Sequence, residues 1–263
     1  MPAPIHGFVY TPTRSEIALA CATVGARVRN PDRGPPWLVV DHVVTGPIVT
    51  DWPGRLLRVV VVDPATDADG AGNLRSDASY TRAVEVAVLE ELPLARLFGE
   101  HGAHVVRVIE RARRLTREEA ALLADAIDEK ADAACSAAWN AWLVAEGRES
   151  SIHFGDDHSF TLAIPAYGSA GAPIHGGFSV IADQLRKRAL KVEGAAAITL
   201  DEEGDASLTQ PWSDATRALL HAAMALGAPA LVEDEQSACL QRAWTALVGN
   251  SPGSVDEDAG SHA

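Results

Sequence analysis

The densest group of side chains that could hold a metal lies at His153, Asp156 and His158, in the run His-Phe-Gly-Asp-Asp-His at 153–158. Imidazole nitrogens and carboxylate oxygens are ligands that zinc and iron both accept. With His175 as a further candidate ligand, this spacing suggests a metal site and a metal-dependent hydrolase. An exposed polar loop accounts for the same residues. We expect that the ligands do not converge on one point and that the chain needs no cofactor.

A second histidine pair, His101 and His104, would lie on one face of a regular helix. A catalytic zinc site also needs a third ligand and a general base, and the signature HExxH does not occur in the chain. Residues 67–70 (Asp-Ala-Asp-Gly) are similar to the middle of a calcium loop, but Ala65 and Ser76 would then occupy two principal ligand positions. We therefore expect a solvated acidic loop there.

Two glycine-containing motifs could serve as a hydrolase nucleophile turn and a phosphate-binding loop, but each works only between a strand and a helix. Residues 249–253 match the GxSxG pattern of hydrolases, which requires a turn between strand and helix and a later histidine, and only His262 follows. Residues 168–177 lie between a predicted strand and a predicted helix, where backbone amides can bind phosphate. They lack the GK[ST] of a P-loop, so we expect a plain connection.

The charge is divided unevenly along the chain. Residues 1–115 contain 13 acidic and 13 basic side chains, whereas residues 116–263 contain 23 and 9, which accounts for the net charge of −14. Such a surplus repels phosphate backbones and disfavours nucleic-acid binding. It predicts instead that a partner attracted by charge is a basic protein. The odd number of cysteines, Cys21, Cys135 and Cys239, argues against a disulfide framework.

The one tight basic cluster is Arg186, Lys187, Arg188 and Lys191, on a predicted helix followed by a predicted hairpin. Helix and then hairpin is also the order of winged-helix DNA readers. The hairpin tip at 201–205, however, carries four carboxylates, which is the wrong sign for a phosphate contact. A DNA-binding regulator is therefore the third-ranked hypothesis.

Several elements would position these groups. Short segments rich in β-branched residues predict strands at 7–10, 37–44, 47–50, 55–62 and 82–92, and mixed spacing at 15–28 predicts a short helix. The apolar run 59–62 predicts a strand covered on both faces. Thr116 and Glu119 form a capping-box signature that opens a predicted long helix to about residue 146, with Trp139 and Trp142 buried.

The second half of the chain predicts a strand at 159–164, a helix at 178–190, a hairpin at 196–210 and two terminal helices at 213–226 and 233–248. The fold class is therefore α+β: a mostly antiparallel N-terminal sheet, a long central helix, and a C-terminal α+β unit with a hairpin and terminal helices. The predicted divisions are a sheet unit at 1–115, the connecting helix at 116–148, the C-terminal unit at 149–248 and a disordered tail at 249–263.

The segment from Val84 to Pro93, continuing through Leu97-Phe98-Gly99-Glu100 to Thr116, resembles a segment of uncharacterised actinobacterial and actinophage proteins. In those proteins a similar strand and helix precede a long helix rich in Ala and Trp, as 133–142 is here. The likeness covers residues 84–146. It implies an actinobacterial or phage origin and supports the helix assignment, and it implies no activity and no site residue.

These patterns favour a non-catalytic binding or regulatory protein, because no nucleophile, base and orienting group occur together at suitable spacing. The metal-dependent hydrolase is the alternative. Residues 1–6 have no basic flank followed by an apolar stretch, and no apolar run reaches the roughly 18–20 residues that span a bilayer. We therefore expect a cytoplasmic protein that does not enter a membrane.

Overall fold

The computed structural model describes residues 3–14, 18–30, 33–66, 79–145 and 173–249. The described chain forms an antiparallel sheet in its first part and helices with one hairpin in its second part, which confirms the α+β class. None of the helices in these ranges is both long enough and apolar enough to cross a membrane.

The N-terminal sheet contains five strands: β1 (His6–Pro12), β2 (Arg27–Arg29), β3 (Leu38–Asp41), β4 (Gly54–Pro64) and β5 (Tyr80–Leu92). All their pairings are antiparallel. Strand β1 pairs with both β3 and β4, and β5 pairs with β4 on one edge and with β2 and β3 on the other. The pairings therefore close into a small barrel with β1, β3, β5 and β4 around it.

The barrel interior is filled by β-branched and aliphatic side chains, because alternate residues of each strand point inward. Val9, Val40, Leu57, Val59 and Val86 belong to this buried cluster. The residues between them point outward. The alternation predicted for 82–92 is therefore present, although register shifts interrupt the β4–β5 pairing at three places.

Three local predictions for this region are wrong. Within the predicted helix at 15–28, the described residues form a short 3₁₀ turn, Ala18–Cys21, followed by β2. Residues 47–50 are not a strand. In the apolar run 59–62, Val59 is fully buried but Val62 is 39% exposed, so only one face of β4 is covered there. In the first of these cases, the pairing of β2 with β5 overrides the local pattern.

The helices of the described chain are α1 (Gly102–Ala112), α2 (Arg117–Asp125), α3 (Ala131–Ala145), α4 (Pro173–Glu193), α5 (Trp212–Gly227) and α6 (Asp234–Gly249). Strands β6 (Ile198–Leu200) and β7 (Ala206–Leu208) form the predicted hairpin between α4 and α5. The predicted helices at 178–190, 213–226 and 233–248 are confirmed. The predicted strand at 159–164 and the tail beyond Gly249 lie outside the described residues.

The single long helix predicted over 116–148 is wrong, because residues 126–130 separate α2 from α3. Its start is correct: the Thr116 hydroxyl accepts from Glu119 N and the Glu119 carboxylate accepts from Thr116 N. The interruption centres on Asp128, whose carboxylate accepts from the Lys130 amide at 2.9 Å and from Arg242 at 3.0 Å. A side chain that bonds its own neighbouring backbone competes with helical hydrogen bonds.

The chain divides into two compact units, and each contains two chain segments. Unit 1 contains the described parts of 1–109 and 142–180, and unit 2 those of 110–141 and 181–263. The predicted division into a sheet unit at 1–115, a connecting segment at 116–148 and a C-terminal unit at 149–248 stays a prediction.

The core of unit 2 is centred on α5, where nine residues are buried. Helix α5 packs against α2 and α6. Trp212 is fully buried, and its indole nitrogen donates to Glu193 at 2.8 Å. Trp139, by contrast, is half-buried, and the side chain of Trp142 lies outside the described side chains. Among the described tryptophans of this unit, the most deeply buried is therefore Trp212 on α5 and not Trp139 on α3.

Candidate functional site

The main sequence-predicted site lies outside the described residues. His153, Asp156 and His158 all fall in the range 146–172, for which the structure gives no placement. The same holds for residues 67–70 of the calcium-like loop, for 168–172 of the glycine-rich segment and for Ser251 of the GxSxG pattern. Residues 173–177 of the glycine-rich segment form the first turns of α4.

The histidine pair at the start of α1 is placed. His101 precedes the helix and is half-buried, whereas His104 is exposed in its first turn. Across the described ranges, no three His, Cys, Asp or Glu side chains come together in a way that could hold a metal ion. The pair thus has no third described ligand.

The basic cluster lies on the C-terminal half of α4, and two of its members have structural partners. Lys187 pairs with Asp183 at 2.7 Å, one turn earlier on the same helix. Arg188 donates from Nε to the carbonyl of Leu115 at 2.7 Å and thereby satisfies a backbone group between α1 and α2. Arg186 and Lys191 are exposed.

The acidic hairpin, which we define as residues 198–208, is an ordered but exposed element. The Asp201 carboxylate accepts from the amides of Glu203 at 3.0 Å and Asp205 at 2.8 Å, and this closes the tip. Every residue from 199 to 207 is exposed, and Leu200 is 69% exposed. The two ends of the hairpin are joined at its base, where the Thr209 hydroxyl donates to the carbonyl of Ala196 at 3.2 Å.

A buried histidine of unit 2 pairs with an exposed aspartate. His221 Nε2 on α5 is 3.0 Å from Asp132 Oδ1 on α3, and Asp132 also faces Arg217 at 3.5 Å. Burial lowers the pKa of His221, although the charge and hydrogen bond of Asp132 act in the opposite direction. His221 is only 4% exposed, whereas the Asp132 side chain is 58% exposed, so of the two only the histidine is buried.

Cys135 lies one turn after Asp132 on α3. Burial and, second, the Asp132 charge raise the pKa of its thiol to about 11. The thiolate is the nucleophilic form of cysteine, so at neutral pH Cys135 is a protonated and unreactive thiol. This thiol is therefore a structural group.

A further group escaped the sequence analysis: the half-buried carboxyl group of Asp41, at the end of β3. The strand registers pair Asp41 with Phe8 of β1 and with Tyr80 of β5, and pair Phe8 with Arg58 of β4. Directly paired residues of antiparallel strands point to the same face of the sheet. Asp41 thus lies on the barrel exterior between two aromatic side chains.

The Asp41 carboxyl group is partly removed from water, and no described group replaces the lost hydration. Within the described ranges no charged or hydrogen-bonding group reaches it, and burial raises its pKa from 3.8 to about 6. The turn at 43–46 covers one side: a Cβ on Gly46 would be 3.0 Å from Asp41 Cβ and 3.1 Å from Oδ1. In the sequence, Asp41 is a single aspartate that follows an apolar strand. Its neighbours Phe8 and Tyr80 lie 33 and 39 residues away along the chain. No short window of sequence contains this group of residues.

Comparisons of the chain with protein-family models, with curated proteins and with solved structures find no match.

Proposed function

We propose that this chain is a non-catalytic, cytoplasmic binding or regulatory protein of actinobacterial or phage origin, and that its acidic hairpin contacts a basic protein partner. The observation that carries the proposal is the hairpin itself. It is closed by side-chain hydrogen bonds, yet almost none of its surface is buried in the described chain. An element that is ordered without contributing to a core is suited to contact another molecule.

Charge supports the same partner class. Asp201, Glu202, Glu203 and Asp205 lie within five residues and are all exposed. Their mutual repulsion is relieved when cations approach, and the exposed Leu200 beside them offers an apolar contact. Residues 116–263 carry the whole net charge of −14, so long-range attraction directs a basic partner to this half.

The DNA-binding hypothesis is less well supported than the basic protein partner. Two of the four basic side chains on α4 already have structural partners, Lys187 with Asp183 and Arg188 with the Leu115 carbonyl. The acidic hairpin follows the same helix, and its charge opposes phosphate groups. We expect duplex DNA to bind weakly or not at all near 0.15 M salt.

A binding experiment with a fluorescent arginine-rich peptide tests the proposal. The double variant Glu202→Gln/Glu203→Gln removes two tip charges, and Glu129→Gln/Glu235→Gln removes two exposed charges of unit 2 outside the hairpin. We expect the hairpin variant to bind several-fold more weakly than the control, and the difference to shrink as salt rises because exposed charges are screened beyond about 10 Å at 0.1 M.

Equal losses in the two double variants would show that the hairpin is not the contact surface. Submicromolar affinity for duplex DNA near 0.15 M salt would instead favour the DNA-binding hypothesis. Arg186 and Lys191 would then be the first residues to substitute.

A further inference from the structure

The exterior of the barrel carries a carboxylate that the described protein does not neutralise. Two arginines lie near Asp41 in the strand register, but both have other contacts. Arg58 pairs with Glu90, with 3.0 Å between Nε and Oε1. Arg82 lies over the ring of Tyr80, with its guanidinium carbon 6.0 Å from the ring centroid. Neither arginine forms an ion pair with Asp41, so its carboxylate is available to a ligand.

Aromatic side chains flank this carboxylate on two strands. Phe8 and Tyr80 are its direct partners in β1 and β5, and such pairs have Cβ atoms roughly 4.5–5.5 Å apart. Both rings are half-buried and therefore remain partly accessible. Ring faces attract cations, and Arg82 already uses the Tyr80 ring in this way. A carboxylate between two rings is an arrangement suited to a cation that carries apolar groups.

The geometry around the carboxyl oxygens favours one class of cation. Oδ1 lies against the backbone of Gly46, where even a Cβ would come within 3.1 Å, so the turn covers that oxygen. A guanidinium binds best when both oxygens accept its parallel N–H groups, whereas an ammonium is a compact charge that one oxygen can satisfy. A divalent metal needs several oxygen or nitrogen ligands, and the described residues gather no such set.

We propose that Asp41, Phe8 and Tyr80 form a binding site for an alkylammonium group. The carboxylate supplies the countercharge, and the two rings contact the carbon atoms next to the nitrogen. Lysine side chains and small free amines share this chemistry. The site lies in unit 1, so it is separate from the acidic hairpin of unit 2 and goes beyond the function proposed for that hairpin.

Titration with defined probes, followed by NMR of the full-length protein, tests the site. The probes are methylammonium and Nα-acetyl-lysine amide, with Nα-acetyl-arginine amide and butanol as guanidinium and uncharged controls. We expect both ammonium probes to shift the resonances of Asp41 and its strand neighbours at lower concentrations than either control. Tighter binding of the lysine derivative would identify a lysine side chain as the source, and equal binding a small free amine.

Matched variants separate the site from general surface charge. We expect Asp41→Asn to weaken ammonium binding at least tenfold, and Phe8→Leu or Tyr80→Leu to weaken it several-fold. Tyr80→Phe keeps the ring face and should recover most of the binding that Tyr80→Leu loses. Glu100→Gln removes an exposed charge of the same unit and should have no effect. Asp41→Asn removes a desolvated charge and is expected to fold.

Binding should also weaken as pH falls below about 6, where Asp41 becomes protonated in the free protein. Three results would overturn the proposal: equal affinity in Asp41→Asn and Glu100→Gln, equal affinity for the arginine and lysine derivatives, or butanol binding as well as the amines. Failure of the hairpin experiment would leave this site untouched, because that experiment uses guanidinium groups and residues of unit 2.

Discussion

Burial of the Asp41 carboxyl group couples the stability of the fold to pH. Its pKa rises from 3.8 to about 6 because burial disfavours the charged form. The folded chain therefore holds this proton more tightly than the unfolded chain does. The group stabilises the fold fully below its unfolded pKa, and this contribution is lost as pH rises through about 6. A carboxylate whose ionisation near neutral pH destabilises the fold is more common at functional sites than elsewhere.

Asp41→Asn should therefore stabilise the protein near neutral pH. After discounting for partial exposure, we expect the free energy of unfolding to rise by about 1–2 kcal/mol at pH ~7.5, with little change at pH ~4. Urea denaturation at the two pH values measures the difference. A variant that is less stable than the original at the higher pH would mean that the folded protein stabilises the Asp41 charge.

The buried histidine His221 changes the stability of the fold with pH in the opposite direction to Asp41. Because burial lowers the pKa of His221, its contribution to stability is present above the unfolded pKa, and it is lost as pH falls through the folded pKa. Asp132 opposes that shift from 3.0 Å away. Asp132→Asn should lower the pKa of His221 further, since it removes the charge that favours the imidazolium. NMR titration of the His221 ring measures the shift, with Glu129→Gln as the control. An upward shift would contradict this assignment.

At the level of elements, the capping box of α2 makes a measurable contribution to the stability of the fold. Thr116→Ala removes the acceptor for the Glu119 amide, and loss of such a cap costs about 0.5–2 kcal/mol. Thr116→Ser keeps the hydroxyl group and should restore most of the loss. Thermal or urea unfolding of both variants checks the prediction. An alanine variant as stable as the serine variant would show that the cap contributes nothing.

Two of the three tryptophans of unit 2, Trp212 and Trp139, give a second comparison between elements. Trp212 is fully buried on α5 and donates to Glu193, so Trp212→Ala should destabilise by about 3–5 kcal/mol, as large-to-small core changes do. The sequence predicts that Trp139 is buried as well, but that side chain is half-buried. Trp139→Ala should therefore cost less. A larger loss for Trp139→Ala, measured by urea unfolding, would contradict the described packing of α3.

For the molecule as a whole, metal content remains a prediction to be measured. We expect elemental analysis of the purified protein to find no stoichiometric zinc or iron. One equivalent of metal that is lost in the His158→Ala variant would contradict this and would favour the hydrolase hypothesis. His104→Ala is the matched control, because that histidine is exposed and has no third described ligand.

Local features of this chain were readable from the sequence because their causes lie within a few residues. The capping box needs only Thr116 and Glu119, and the acidic hairpin tip is a run of five residues with its strands on either side. Alternation in 82–92 predicted β5 because side chains of a strand point alternately to its two faces. The α+β class follows from the predicted helices and strands taken together, and the charge division follows from counting charged residues along the chain.

Features that depend on distant residues could not be predicted in this way. The barrel closes because β1 pairs with both β3 and β4, and the Asp41 site exists because register places Phe8 and Tyr80 beside it. The break between α2 and α3 involves Asp128 and Arg242, which are 114 residues apart. Periodicity reports which face of an element is apolar, but not which partner covers it. The partner depends on long-range pairing and packing, and these appear only when the chain is folded.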